Sequence, residues 1–372
     1  MNSRERPGFP GSVGFQQRVL PAYRSVFIDR LAEECGGGLS LIAGAPRATE
    51  AILTTDQLGV ARYAAARNIH LFRGVAYLCV QGGLLAWLRR WDPDVLILEA
   101  NPRYISNSAA LRWMQRRGKP VIGWGLGAPP IRGGFSFPQD RIRRRFLNRL
   151  DALIAYSTRG AAEYEAQGVP RSRIFVAPNA VTATPGPPPT REAFSHRSPR
   201  LLFVGRLQAR KRVDLLLKVC RELVPKPEVW IVGDGPERQA LEELAGRDYP
   251  QARFTGALQG EALREQYAGA DLLVMPGTGG LAVQEGMAYG LPVIVGEGDG
   301  TQEDLVRPVN GWLVPPGDGE GLLMALRQAF SDPQRLLTMG AASHRSAAER
   351  FNTDVMADTF VHVMNRVTGW EN

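Results

Sequence analysis

The sequence predicts an α/β protein of two doubly wound domains, and three observations lead to this class. The chain has 372 residues, which is more than one typical hydrophobic core holds. Short apolar runs alternate with amphipathic stretches of helical period, which is the pattern of a parallel sheet with helices on both faces. A proline-rich segment interrupts this alternation once, and the alternation starts again after it. We therefore expect two Rossmann-like sheets joined by a linker.

The first half of the chain contains strand-like runs of aliphatic residues separated by helical stretches. The predicted strands are residues 39–43, 70–72, 95–99, 121–124, 153–156 and 174–177. The predicted helices are residues 25–34, 84–90, 108–116, 140–150 and 160–167. Because these runs are apolar along their whole length, the strands are expected to be buried on both faces.

The second half repeats the same alternation. The predicted strands are residues 201–204, 229–232, 253–255, 272–275, 292–295 and 312–314. The predicted helices are residues 213–223, 237–244, 261–268, 281–289 and 319–331. In doubly wound sheets, ligands bind beyond the carboxyl ends of the strands, so the cleft between the two domains is the expected ligand site.

The domain boundaries follow from the proline-rich segment. Residues 183–199 contain several prolines and lack apolar periodicity, so they are predicted to form a stiff linker. The first domain is then residues 1–182 and the second is residues 200–352. The C-terminal segment 353–372, with a predicted helix at 353–367, is expected to pack back on the first domain.

Composition indicates a soluble globular protein. The hydrophobic fraction is 44% and the charged fraction is 22%. No apolar run approaches the roughly 20 residues of a membrane-spanning helix, and residues 1–14 lack the apolar core of a signal peptide, so a cytoplasmic location is expected. Cys35, Cys79 and Cys220 lie far apart, and no histidine pair has ligand spacing. We expect reduced, packed cysteines and no metal site.

The net charge of +8 is unevenly distributed. Residues 1–196 hold 26 Lys and Arg against 14 Asp and Glu, whereas residues 197–372 hold 19 against 23. The excess allows two interpretations: a solvated surface, or attraction to an anionic partner such as a lipid diphosphate or the inner face of a membrane, touched peripherally. Nucleic acid is disfavoured, because no helix-turn-helix or aromatic-basic pattern is present. Arginines of the basic half cluster at residues 89–90, 116–117 and 141–149.

A strand end in the second half carries two cations. The predicted strand 201–204 runs directly into Gly205 and Arg206, and Lys211 follows five residues after Arg206. An arginine fork and a lysine point charge at a strand end can clamp a diphosphate. The alternative is that both are solvated loop charges.

The next strand ends in the sequence Gly233-Asp234-Gly235. Glycines at a strand end permit a tight turn and the close approach of a ligand to the backbone. This is not the dinucleotide-binding fingerprint, since the third glycine position holds Arg238. Alone, the motif is more typical of a simple turn.

A third feature is the glycine-rich turn at residues 277–280, which leads into the predicted helix 281–289. The N–H groups and the dipole at a helix start favour a phosphate. Glu285 lies one turn into this helix, where a carboxylate can accept hydrogen bonds from two ribose hydroxyls. The alternative role of Glu285 is to compensate the helix dipole.

These segments, in this order, resemble the family 4 glycosyltransferases of the GT-B fold, in which two Rossmann-like domains face each other across a cleft. The match covers most of residues 201–318; PNAV at 178–181 matches the family's hinge, and RVLPAYRSVF at 18–27 carries a weaker match in the first half. The resemblance implies a retaining, metal-independent hexosyltransferase of polysaccharide or glycoconjugate biosynthesis. It would move a sugar from a nucleotide diphosphate sugar to a carbohydrate or lipid-linked acceptor. The matching stretches are FVGRLQARKRVDLLL, VWIVGDGPERQALEELA, FTGAL, ADLLVMPG, LAVQEGMAYGLPVIVG and NGWLVPPGD.

The resemblance also assigns roles to residues. Arg206 and Lys211 would be catalytic, because they would stabilise the negative charge on the leaving diphosphate. Glu285 would hold the ribose, and the backbone near Arg253 and Phe254 would meet the base. A UDP-sugar is favoured over a GDP-sugar, and no cofactor is expected. The implied donor-binding residues are Gly205, Gly233, Arg253, Phe254, Thr278, Gly280, Leu281, Ala282, Val283 and Glu285.

Two positions depart from the family pattern, and both concern the donor sugar. The family usually has a glutamate eight positions before the ribose glutamate, where this chain has Gly277. Many members also have a histidine after the strand that matches 121–124, where this chain has Leu126. The hexose would then be held differently, by candidates that include Thr278, Glu297, Asp299 and Trp124.

Acceptor residues are expected at the carboxyl ends of the strands of the first domain. The candidates are Arg24, Glu99, Asn101, Arg103 and Trp124, because they follow strand ends or an early glycine-rich turn. For each, a structural role is at least as well supported. Glu99 would pair with Arg103, and Trp124 would belong to the core.

Two further functions are weighed against the transferase. One is a degenerate protein that binds nucleotide sugars without turnover. The other is a sugar-nucleotide 2-epimerase, which is disfavoured because the acidic and histidine groups needed for proton transfer are not found. A dehydrogenase is disfavoured by the missing G-x-G-x-x-G fingerprint.

Overall fold

The computed structural model describes residues 8–50, 52–131, 136–194 and 197–370. The chain divides into two compact units, of which the first is Met1–Val181 with Thr353–Asn372 and the second is Thr182–Asn352. Each unit is an α/β structure around its own sheet.

The strands and helices of the first unit alternate along the chain. The strands are β1 Val13–Gln16, β2 Leu39–Gly44, β3 Arg62–Leu71, β4 Leu78–Gly82, β5 Val95–Glu99, β6 Val121–Gly125, β7 Ala152–Ala155 and β8 Ile174–Val176. The helices are α1 Ser25–Glu33, α2 Leu84–Trp91, α3 Ile105–Gln115, α4 Ser136–Leu147 and α5 Thr158–Ala166.

The second unit continues the alternation, and one last helix returns to the first unit. The strands are β9 Arg200–Val204, β10 Glu228–Val232, β11 Arg253–Gly256, β12 Leu272–Met275, β13 Val293–Gly296 and β14 Gly311–Val314. The helices are α6 Val213–Cys220, α7 Arg238–Asp248, α8 Gly260–Gly269, α9 Leu281–Ala288, α10 Thr301–Leu305, α11 Gly319–Ser331, α12 Pro333–Arg350 and α13 Thr353–Thr368, the last in the first unit.

The sheet of the first unit has the order β4-β3-β2-β1-β5-β6-β7-β8. All neighbours are parallel except β3 and β4, which pair antiparallel at one edge. The strand order reverses between β1 and β5, where Val13 pairs with both Leu39 and Val95. Such a switch point separates the connections on its two sides and opens a crevice at the carboxyl ends of the strands.

Helices cover both faces of this sheet. On one face, Phe15 of β1, Phe27 of α1 and Phe360 of α13 form an aromatic cluster, with the Phe27 and Phe360 ring centroids 5.1 Å apart. On the other face, α2 and α3 contribute buried aliphatic side chains. Arg30 of α1 also binds the carboxylate of Asp354 at 2.7 Å, so α13 is fixed to α1 by apolar and charged contacts.

The sheet of the second unit is fully parallel, with the order β11-β10-β9-β12-β13-β14. This is the order 3-2-1-4-5-6 of the Rossmann fold, with its switch point between β9 and β12. The prediction of two Rossmann-like sheets is therefore confirmed. The three cysteines are buried, which suits packing residues.

The proline-rich segment lies on the second unit. The Arg191 guanidinium donates to the carbonyl oxygens of Tyr267 and Tyr289 at 2.6 Å and of Ala270 at 3.1 Å. These carbonyls lie at the ends of α8 and α9, where helices leave carbonyl groups without partners. Residues 195 and 196 of the predicted linker lie outside the described residues.

Candidate functional site

The loops that follow β9 and β10 are packed backbone to backbone. The Gly205 N–H donates to the Val232 carbonyl at 2.9 Å. Gly233 has φ +144, and a Cβ atom on it would lie 1.9 Å from the Gly205 carbonyl oxygen. Only glycine combines this φ with this close approach. The Gly233 motif is therefore more than a turn signal, since it brings the two strand ends at one side of the switch point together.

The loop after β12 packs on the loop after β9, on the other side of the same switch point. Arg210 donates from Nη1 to the Thr278 hydroxyl at 2.6 Å, and its carbonyl accepts the Thr278 N–H at 3.2 Å. The Lys211 ammonium donates to the Thr278 carbonyl. A Cβ atom on Gly277 would lie 2.2 Å from the Arg210 carbonyl and 2.6 Å from Lys211 Cα. Glycine at position 277 is therefore required by this packing.

Cations converge on these loops. Arg206 is exposed directly after Gly205, whereas Lys211 is half-buried. Burial lowers the pKa of Lys211 to about 8; the neighbouring Arg210 charge lowers it as well, and Asp299 raises it. Burial destabilises the charged form of a lysine, and a bound anion stabilises that form again. Lys211 is therefore suited to bind an anion.

Helix α9 begins beside this cluster. Its N-cap residue is Gly280, which has no side chain to cap the helix. Leu281 and Ala282 are half-buried, and Val283 is buried. Amide groups at such a helix start are suited to an oxyanion, which takes the place of a side-chain cap.

Glu285 on α9 is fixed by an aromatic pair. The Tyr267 hydroxyl donates to Glu285 Oε2 at 2.8 Å, and the Tyr267 ring stacks on Tyr289 at 5.3 Å. Burial raises the pKa of Glu285, and the hydrogen bond from Tyr267 lowers it. The carboxylate is thus oriented by one donor and retains acceptor capacity for a ligand.

The remaining donor-site candidates have simpler surroundings. Asp299 accepts hydrogen bonds from the Thr301 N–H at 3.1 Å and from the Thr301 hydroxyl at 2.6 Å, so it caps α10. Glu297 is exposed. Arg253 is exposed on the edge strand β11, and Phe254 packs against the core.

Arg24 and Trp124 of the first unit lie in the core. Trp124 is 1% exposed and packs among aromatic rings of the core. The Arg24 guanidinium lies 4.4 Å from the centre of the Trp124 ring. It donates hydrogen bonds to the Gln17 side-chain oxygen and to the Tyr156 hydroxyl, each at 2.8 Å. Arg24 itself is 8% exposed. Both side chains therefore have a structural role in the core, and their role as acceptor contacts stays a prediction.

Glu99 and Arg103 line a cavity of about 540 Å³ in the first unit, together with Asn101. Glu99 accepts the Arg18 N–H at 3.1 Å. Burial raises the pKa of Glu99, and the charges of Arg24 and Arg18 lower it. Burial outweighs these charges, and the cations that act on Glu99 are Arg24 and Arg18, whereas the sequence suggested Arg103.

The sequence did not predict a role for Arg210, Tyr267 or Arg143. Of these three, Arg143 lines the cavity of the first unit. Arg210 directly precedes Lys211 in the chain, and this position could have indicated a role in the donor site. Tyr267 lies 18 positions before Glu285 on another helix, and only the tertiary fold brings the two together.

Two family models match the chain. "Glycosyl transferase 4-like domain" matches residues 29–180 and "Glycosyl transferases group 1" matches residues 198–332. The GDP-mannose-dependent alpha-mannosyltransferase of Mycolicibacterium smegmatis is 30% identical over 72% of this chain and 72% of its own length. The chain belongs to the family 4 glycosyltransferases.

Other relatives are matched over a smaller share of their length. Sulfoquinovosyl transferase SQD2 of Arabidopsis thaliana is 35% identical over 41% of this chain and 31% of its own length. The GDP-mannose-dependent alpha-mannosyltransferase of Mycobacterium tuberculosis is 32% identical over 64% of both chains. This family 4 chain thus spans less than two thirds of the length of these two relatives.

Solved structures match almost the whole family 4 chain. The UDP complex of HepE from Anabaena has a TM-score of 0.72 and 16% identity, over 95% of this chain and 99% of that one. Sucrose-phosphate synthase from Thermosynechococcus elongatus has a TM-score of 0.71 and 16% identity, over 97% of this chain and 100% of that one. With the two Rossmann-like sheets, these matches confirm the predicted GT-B class.

No helix in the described part of the chain combines the length and apolar character needed to cross a membrane. Likewise, no three His, Cys, Asp or Glu side chains converge there in a way that would hold a metal ion.

Proposed function

We propose that this chain transfers a sugar from a nucleotide diphosphate sugar to a carbohydrate or lipid-linked acceptor. The observation that carries the proposal is the packing of Lys211 and Gly277 at the switch point of the second unit. There the Lys211 ammonium lies on the Thr278 carbonyl, beside the start of α9. A cation and a helix N-terminus side by side at a switch point form a site for a diphosphate.

In this proposal the second unit binds the donor and the first unit binds the acceptor. Lys211 and Arg206 stabilise the negative charge that develops on the diphosphate as the glycosidic bond breaks. Their contribution grows in the transition state, because the leaving diphosphate gains charge as the bond to the sugar lengthens. The sugar is transferred with retention of its anomeric configuration, as the family membership suggests.

The nucleoside is proposed to lie along α9. The Glu285 carboxylate accepts hydrogen bonds from the ribose hydroxyls, and Tyr267 holds it in place. The base meets the backbone at Arg253 and Phe254. A UDP-sugar stays the sequence-based prediction; a GDP-sugar is the alternative, which the names of the two mannosyltransferases favour.

The donor hexose requires a contact other than a side chain at position 277. Thr278 is the strongest candidate, because its hydroxyl is exposed and held by Arg210 at 2.6 Å. Peripheral contact of the arginine-rich first unit with an anionic membrane stays a prediction, and it would bring a lipid-linked acceptor within reach.

Turnover with a panel of donors tests the proposal. UDP-glucose, UDP-galactose, UDP-N-acetylglucosamine and GDP-mannose are incubated with the full chain, and NMR follows both donor loss and the configuration of the released or transferred sugar. One donor should be consumed with retention, and Arg206→Ala and Lys211→Ala should each slow its loss about a hundredfold.

The matched control is Lys218→Ala, which removes an exposed lysine that pairs with Asp214 on α6. It should leave turnover unchanged. Tight nucleotide binding with no donor loss would instead identify a degenerate binding protein, and appearance of the 2-epimer of a donor would identify an epimerase.

A further inference from the structure

Charged, aromatic and aliphatic side chains line the cavity of about 540 Å³ in the first unit. The cavity lies where three neighbouring strands end: Glu99 ends β5, Gly125 ends β6 and Tyr156 follows β7. Its volume falls within the range of sites that hold a small molecule. A carboxyl edge of a parallel sheet is also where α/β proteins bind ligands.

Two arginines line this cavity from different elements. Arg103 follows β5, and Arg143 lies on α4, where its Nη1 donates to the Pro129 carbonyl at 2.6 Å. Burial lowers the pKa of Arg143; the charge of Asp140 raises it, that of Arg103 lowers it and that of Glu163 raises it. Both guanidinium groups line the cavity, and an oxyanion bound there could accept hydrogen bonds from both.

The lining contains the carboxyl group of Glu99. Burial raises the pKa of Glu99 and so favours its neutral form, while the charges of Arg24 and Arg18 lower it. Glu99 therefore does not close the cavity to an anion.

One side of the cavity is apolar. Leu126 and Ile142 line it and are 39% and 62% exposed, and Ile131 lies in the same lining. These aliphatic side chains could contact an apolar part of a ligand, while the neighbouring arginines bind its anionic group.

We propose that this cavity is the acceptor subsite and that it selects an acceptor carrying an oxyanion on the group that receives the sugar. Arg103 and Arg143 bind the oxyanion, which is a phosphate or a carboxylate, and Leu126 and Ile142 contact the apolar part. The inference rests on the proposed function and gives that function an acceptor class.

Binding of paired probes to the full chain tests this inference. Calorimetry compares inositol 1-phosphate with inositol, and galacturonate with galactose. Only the anionic member of a pair should bind, and Arg143→Gln or Arg103→Gln should weaken it ten- to hundredfold. Arg143→Lys retains the charge and should lose less. The control is Arg141→Gln, which removes an exposed arginine from the same helix that does not line the cavity.

The source of the oxyanion is distinguished with vesicles. A lipid acceptor requires that phosphatidylinositol vesicles bind the native chain and that Arg143→Gln weakens this binding, while phosphatidylcholine vesicles do not bind. A soluble acceptor requires the same dependence for inositol 1-phosphate alone. Thermal melts of each variant establish that it is folded, and Arg103→Gln provides the same test should Arg143→Gln unfold.

The outcomes separate this inference from the proposed function. It is overturned if neither anionic probe binds, or if Arg141→Gln weakens binding as much as Arg143→Gln. If an anionic probe binds in a way that depends on Arg143 but no donor is turned over, the cavity is an anion site and the acceptor role is wrong. Donor turnover with anion binding that is insensitive to both arginines would leave the proposed function and remove the inference.

Discussion

Lys211 gives the proposed donor site a specific dependence on pH. Burial lowers its pKa from 10.5 to about 8, with Arg210 lowering it and Asp299 raising it. Lysine at a pKa of about 8 is about nine-tenths charged at pH 7 and about one-tenth charged at pH 9. A diphosphate interacts with the charged form, so binding above pH 8 must take up a proton.

The magnitude follows from this linkage. The dissociation constant of UDP should be nearly constant below pH 7.5 and rise about tenfold per pH unit above pH 8. The phosphate of UDP titrates near pH 6 and adds nothing in this range. The free energy of unfolding without ligand should rise with pH, whereas the affinity for UDP falls. Between pH 8 and 10.5 the Lys211 side chain is protonated in the unfolded state but largely neutral in the folded state, so raising the pH favours the folded state.

Calorimetric titration of UDP from pH 6.5 to 9.5, in buffers of different ionisation enthalpy, measures both the affinity and the protons taken up. Lys211→Arg retains its charge throughout and should remove the dependence, whereas Lys218→Arg should retain it. A flat affinity in the native chain, or an unchanged pH dependence in Lys211→Arg, would refute the role of Lys211.

Two other substitutions test the packing of the donor site. Gly277→Ala should lower stability by about 1–3 kcal/mol and weaken UDP binding, because the new Cβ would lie 2.2 Å from the Arg210 carbonyl. Its control in a thermal melt is Gly246→Ala on α7, where a Cβ meets open space and stability should rise; equal melting temperatures for the two variants would contradict the account. Tyr267→Phe removes the hydroxyl that donates to Glu285 at 2.8 Å, and should reduce the preference for UDP over its 2′-deoxy analogue about tenfold. An unchanged preference would show that Glu285 is not held by Tyr267 for the ribose.

The parallel core of both units could be predicted from sequence, because strands buried on both faces read as continuous apolar runs. The elements that were missed lack this signal. β1 is four residues long, and β3 alternates in exposure along its length. The strand predicted at residues 70–72 therefore covers only the last two residues of β3 and extends one residue beyond it. Helix α12 was also missed, although Asp332 caps it by accepting the Arg335 N–H at 2.9 Å and Pro333 follows in the first turn.

The candidate site divides in the same way. Strand ends and helix starts carry local signals, so Gly205, Arg206, Lys211 and Glu285 could be selected from sequence. Contacts between loops carry none: Lys211 and Thr278 lie 67 positions apart. The requirement for Gly277 was equally invisible, because it arises from the Arg210 carbonyl that approaches it.

The most direct test of the central claim is calorimetric titration of UDP and GDP into the native chain and into the Arg206→Ala/Lys211→Ala double variant at pH 7. One of the two nucleotides should bind the native chain, and the double variant should bind it at least a hundredfold more weakly, because two charge-assisted contacts to the diphosphate are lost. Equal affinity in the native chain and the double variant would contradict a diphosphate site at the β9 and β12 strand ends.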